Sequence, residues 1–160
     1  MKKLIITIVF ALASIATVIS CGRDNEIIEN YDIVGKWEYR SAIRERINLD
    51  DPSDIWITEQ DGPDNLTMEI REFKNDGTMS QYSEINTVDV GDYAETWDWT
   101  LSSNKDSLFL SNGRDNAGNE LGYGDHVEEV LKLNEDTLVT RYTASSTLYT
   151  FIWTTTYIRK

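Results

Sequence analysis

The sequence predicts an all-β domain over residues 33–160, folded as an eight-stranded antiparallel up-and-down β-barrel with little helix. Three observations carry that reading. Apolar residues recur at every second position in eight successive segments, the period of a strand with one face in water. Short clusters of Asn, Asp, Ser and Gly, the residues of tight turns, separate several of these segments. No segment after residue 20 keeps a 3.6-residue period over ten positions. Eight sequential strands leave two open edges, and closing the sheet on itself removes them. A two-sheet sandwich is the alternative, but it needs long crossovers where this chain has hairpins. With 160 residues, 40% of them apolar, one domain is the expectation.

Residues 1–20 stand apart from the fold. Lys2 and Lys3 form a basic start, Leu4 to Ile19 is an apolar run, and Val18-Ile19-Ser20-Cys21 ends it. The run is shorter than the roughly 20 residues a membrane-spanning helix needs and reads as a secretory signal peptide. The tetrapeptide resembles the lipobox of bacterial lipoproteins. That resemblance implies cleavage before Cys21, diacylglycerol on its thiol, and acylation of the new amine by a fatty acid such as palmitate. Cys21 is the only cysteine, so an exported chain has no disulfide to form. Acyl chains at about 0.8 kcal/mol per buried methylene would then hold the protein on a membrane. The expected place is the cell envelope, on the outer membrane. Asp24 and Glu26, split by Asn25, partly resemble signals that carry lipoproteins to the outer cell surface. Residues 21–32 are polar and read as a flexible tether.

The strands follow in order. From Ile33, the residues Trp37, Tyr39, Ile43 and Ile47 share one parity, with Lys36, Glu38, Arg40, Arg44 and Arg46 on the other. Asn48 to Asn65 is a loop in which Asp50, Asp51, Asp54, Glu59, Asp61 and Asp64 surround Ile55, Trp56 and Ile57. That apolar knot is either a lid or a ninth edge strand. Leu66 to Lys74 and Thr78 to Asn86 are the next strands, joined by Asn75-Asp76-Gly77, where Asp-Gly supplies the backbone of a hairpin turn. After Thr87 to Asp92 comes Tyr93 to Leu101, with Glu95 on the parity of Trp97 and Trp99. The turn Ser102 to Asp106 leads to Ser107 to Ser111, with Leu108 and Leu110 in phase. The long loop Asn112 to Gly124 leads to His126 to Asn134, with Val127, Leu131 and Leu133 in phase. The turn Glu135-Asp136 leads to Thr137 to Thr143. Leu148 to Ile158 closes the chain with Tyr149, Phe151, Trp153 and Tyr157 on one parity. Long loops then gather on one rim and tight turns on the other, where the first strand starts. The long-loop rim is the expected mouth, pointing away from the membrane.

Gly35-Lys36-Trp37 at the start of the first strand resembles the Gly-x-Trp of the lipocalins, and the layout of residues 33–160 looks like the lipocalin-like domains of Gram-negative lipoproteins. The resemblance implies a barrel floor made by Gly35 and Trp37, overlaid by a basic side chain from the end of the last strand, here Arg159. The helix that many lipocalins place after that strand is absent. Trp37, Tyr39, Trp97, Trp99 and Trp153 are the candidate lining of a cavity for a small hydrophobic molecule. The same rings could instead fill the barrel and leave a non-catalytic surface interaction module that grips a glycan or protein through its rim loops.

Charge and motifs narrow the classes. The chain carries 28 acidic against 15 basic residues, and loss of Lys2 and Lys3 with residues 1–20 takes the net charge from −13 to −15. Nucleic acid is not an expected partner, since phosphates require clustered Lys and Arg. His126 is the only histidine and reads as a loop-edge residue; no Gly-x-Ser-x-Gly elbow, zinc signature, phosphate loop or calcium-loop spacing is present. No enzyme activity, metal or cofactor is expected. Asp106-Ser107-Leu108 and Asp136-Thr137-Leu138 resemble an O-glycosylation pattern of some Gram-negative bacteria.

Overall fold

The computed structural model describes residues 31–62, 70–82, 94–122 and 124–160. They form nine strands: β1 Gly35–Asn48, β2 Ile55–Asp61, β3 Ile70–Phe73, β4 Thr78–Tyr82, β5 Glu95–Leu101, β6 Ser107–Arg114, β7 His126–Leu133, β8 Thr137–Ser145 and β9 Tyr149–Arg159. All pairings are antiparallel. β3 to β9 follow one another in order, and β1 bridges β3 and β9, so eight strands close a barrel. Among the described residues there is no helix. The expected positions 64–69, 83–86, 87–92 and Tyr93 lie outside the described residues, as does the tether up to residue 30.

β2 is the additional strand, and it settles the apolar knot of the first loop as an edge strand. β1 is long enough to serve three partners. One edge pairs Gly35–Glu38 with β3 and then Ser41–Ile47 with β2, while the other edge pairs along most of its length with β9. The change of partner falls at a bulge. Tyr39 faces Tyr157 and Ser41 faces Thr156, which leaves Arg40 as the extra residue. A second shift lies in β6 between the partners of Thr96 and Asp98, beside Asn112 with its φ of 52°. A third lies in β7 between Val130 and Lys132.

Each bulge flips the side-chain alternation, and this corrects the expected parity. In β1 the inward set is Trp37, Tyr39, Ala42 and Arg44; Ile43 is outward and 41% exposed, and Ile47 shares its face. In β7 the inward set is His126, Glu128, Val130 and then Leu133, while Val127 faces out. A simple period of two cannot follow a strand that contains one extra residue.

The core fills the tight-turn half of the barrel. Ile33, Trp37, Phe73, Met79, Leu108, Leu133 and Leu138 pack there, buried. Trp37 is fully enclosed and donates from Nε1 to the Ile33 carbonyl at 2.7 Å. The Arg159 guanidinium lies 4.4 Å from the Trp37 ring centroid and donates to the carbonyls of Val34, Asp32 and Glu135 at 3.0, 2.6 and 2.8 Å. Gly35 has a φ of 136°, a backbone conformation that favours glycine, and a Cβ there would also stand 2.9 Å from Arg159 Nη1. Lys105, in the β5–β6 turn, donates to the Tyr31 carbonyl at 2.8 Å. Residues 31–34 therefore cross the floor and are held there by Lys105 of the β5–β6 turn and by Arg159 at the end of β9.

Candidate functional site: a polar cavity in the upper half of the barrel

Above the floor the interior is open. Cross-strand neighbours put Tyr39, Tyr157 and Leu138 in one row, then Ala42, Thr155 and Thr140, then Arg44, Trp153 and Tyr142. The middle row is made of small side chains, and the space they leave is part of a cavity of about 330 Å³. Strands β3 to β7 complete its wall with Arg71, Gln81, Glu95, Trp97, Leu110, His126 and Glu128. Small residues flanked by rows of large ones make a void that the neighbours cannot collapse into.

An ion pair is built into this wall. Arg71 Nη1 lies 2.8 Å from Glu128 Oε2, with both side chains nearly enclosed. Arg71 Nε donates to Gln81 Oε1 at 3.1 Å, and its guanidinium lies 5.0 Å from the Tyr157 ring centroid. Burial by itself would push the Glu128 carboxyl up, but the Arg71 guanidinium beside it, helped by the neighbouring His126 and Thr140 side chains, outweighs burial and holds it well below the usual carboxylate range. His126 Nε2 is 3.7 Å from Glu128 Oε1, and its Nδ1 is 3.4 Å from the Gly124 carbonyl. The imidazole meets Trp97 and Tyr142 edge to face, at 5.1 and 5.0 Å between centroids. It is thus an interior residue rather than a loop-edge one.

Aromatic rings continue from the cavity toward the rim. Tyr142 stacks on Trp153 at 5.4 Å and Trp153 on Phe151 at 5.7 Å, with Tyr149 tilted beyond at 6.1 Å. The Arg46 guanidinium lies 4.9 Å from the Tyr149 centroid and 5.7 Å from that of Trp56. On the opposite wall Trp97 lies flat against Gly113, where an added Cβ would stand 2.5 Å from the indole. Glycine at the β6 bulge is what lets that ring lie back and leave the space open.

Of the residues singled out from the sequence as lining, Tyr39, Trp97 and Trp153 are on the cavity wall. Trp37 lies beneath it in the floor. Trp99 lies at the turn side of the barrel, against Phe73 at 5.5 Å, donating to the Lys74 and Thr78 carbonyls. Gly35, Trp37 and Arg159 come together at the floor. Cys21 is outside the described residues. Sequence reasoning missed Arg44, Arg71, Gln81, Glu128, Thr140 and Thr155 as lining. The available signal was the repeat His126, Glu128, Val130, which fits an inward polar face only when the β7 bulge is known.

Chemically the wall offers both hydrogen-bond donors and acceptors beside flat rings. Glu128, ionised, only accepts; Arg71 and Arg44 only donate; Thr, Tyr and Gln side chains do both. Comparison with protein-family models, with curated proteins and with solved structures finds no match to this chain.

Proposed function

We propose that the chain is a lipid-anchored barrel, tethered through Cys21 to the outer membrane, that binds a small molecule in its upper cavity without transforming it. The observation that carries this reading is the change, inside one barrel, from a packed apolar floor to an open polar wall. Stability alone favours neither feature. A void forfeits dispersion contacts, and a buried ion pair carries a desolvation cost that well-packed apolar residues would avoid. The volume falls at the lower end of that of small-molecule sites, which are concave, largely preformed and fitted with a few polar groups. The lining modifies the expected ligand. A purely hydrophobic molecule would leave Arg71, Gln81, Glu128 and Thr140 facing it, so a molecule with a flat apolar surface and several hydrogen-bonding groups fits better. Entry of residues 31–34 at the floor supports a mouth directed away from the anchor.

Native mass spectrometry after incubation with a small-molecule extract tests the reading. A one-to-one adduct is expected with the natural chain and lost in Thr155→Trp, whose indole would occupy the space between Ala42 and Thr140. Absence of any adduct on the natural chain overturns it. A second reading, a surface module gripping a glycan or protein, is favoured by Ile55, Trp56 and Ile57, which are 49%, 52% and 57% exposed on β2. In that case substitutions on β2, and not in the cavity, abolish function.

A further inference from the structure

We infer that the ligand is an organic anion whose acidic group docks on Arg44 and Arg46 at the cavity mouth while its flat apolar body lies inward against Trp153 and Tyr142. The inference rests on the cavity being a binding site and adds its chemical class and orientation.

Arg44 and Arg46 are two residues apart on β1, so both point to the barrel's inner face, roughly 7 Å apart along the strand. Arg44 lines the cavity and is itself exposed, which places it at the mouth. Among the described residues neither arginine has a carboxylate partner, whereas Lys36, Arg71 and Arg141 face Glu72, Glu128 and Glu129. Arg46 is also pre-oriented. Tyr149 and Trp56 lie against the guanidinium at 4.9 and 5.7 Å, and a cation held by aromatic rings keeps its in-plane N–H groups available for an oxyanion.

The remaining wall charges favour the same orientation. Deep in the cavity Arg71 is already neutralised by Glu128 at 2.8 Å, so no anion is called for there. Glu95 lies on β5, three strands round the ring from β1, and makes that side less suited to an acidic group. Two acids of the β1–β2 loop are engaged locally: Asp51 takes hydrogen bonds from Ser53, and Asp54 takes one from Asn48. The negative field of the whole chain fades over about 8 Å at physiological salt, so contact with the two guanidinium groups decides the preference.

Isothermal titration calorimetry of the full chain with naphthoate and with its uncharged counterpart naphthylmethanol tests this. Naphthoate is expected to bind about tenfold or more tightly, the scale of a charge-assisted contact. The Arg44→Gln/Arg46→Gln double variant is expected to abolish that preference, and Arg40→Gln, on the bulge of the same strand, to keep it. Equal affinity for the two probes, or a preference that survives in the double variant, overturns the inference and leaves the binding reading standing. Failure of both probes to bind the natural chain overturns the inference, while the adduct in native mass spectrometry separately decides the binding reading.

Discussion

Glu128 shows how one side chain ties the site to the fold. Its carboxyl accepts from Arg71 at 2.8 Å inside the wall, and its pKa is held well below the ordinary range. A carboxyl with a depressed folded pKa stabilises the native state above its unfolded pKa near 4.3, and that contribution disappears as the pH falls through and below that value. The natural chain should therefore lose stability steeply below about pH 4. Glu128→Gln should cost about 3–5 kcal/mol at neutral pH, because Arg71 would remain buried without its counter-charge, and should flatten the acid limb. Urea titrations from pH 3 to 7 measure both. An unchanged acid limb in the variant would show that other carboxylates control it. Gly113 acts by a different route, through the absence of a side chain, and fixes where Trp97 can lie.

At the level of strands, the alternation of apolar and polar residues disclosed the number and order of barrel strands, and turn clusters such as Asn75-Asp76-Gly77 disclosed the hairpins. Asp76 accepts from both the backbone and the hydroxyl of Thr78, and Asp106 accepts from Ser102, Asn104 and Ser107, so these turn residues close their own loops. What alternation could not disclose was the phase beyond each bulge. Ile43 and Ile47 look inward by counting from Trp37 and are outward because Arg40 is inserted between. Arg44 then takes the place on the wall that Ile43 had by counting, which is why the polar character of the cavity was not legible. β2 was legible only as one of two choices, a lid or a ninth edge strand, since its pairing depends on β1 exchanging β3 for β2 along one edge at the same bulge. Deleting Arg40 should leave Tyr39 and Ala42 inward but straighten β1 where it passes from β3 to β2. Limited proteolysis is expected to cut near β2 faster in that variant, with the barrel fragment surviving. Equal cleavage rates would separate the bulge from the docking of β2.

The molecule as a whole is a barrel divided across its height, closed and apolar below, hollow and polar above. The division follows from side-chain size in successive rows, since Trp37 with Arg159 seals one end and Ala42, Thr155 and Thr140 leave room nearer the other. The seal is a large share of the stability of the lower half. Arg159→Ala removes a cation–π contact and three donations to carbonyls, and should cost about 2–4 kcal/mol in urea denaturation. A loss below about 0.5 kcal/mol would mean that solvent replaces the arginine at no cost. The clamp has a mechanical corollary. Lys105 grips the Tyr31 carbonyl from one hairpin and Arg159 reaches Asp32, Val34 and Glu135 beside another. A pull applied to the backbone at Tyr31 is thus shared between two anchorages at the base before it can peel the first ribbon from its neighbours, and the hollow above them is spared the deformation.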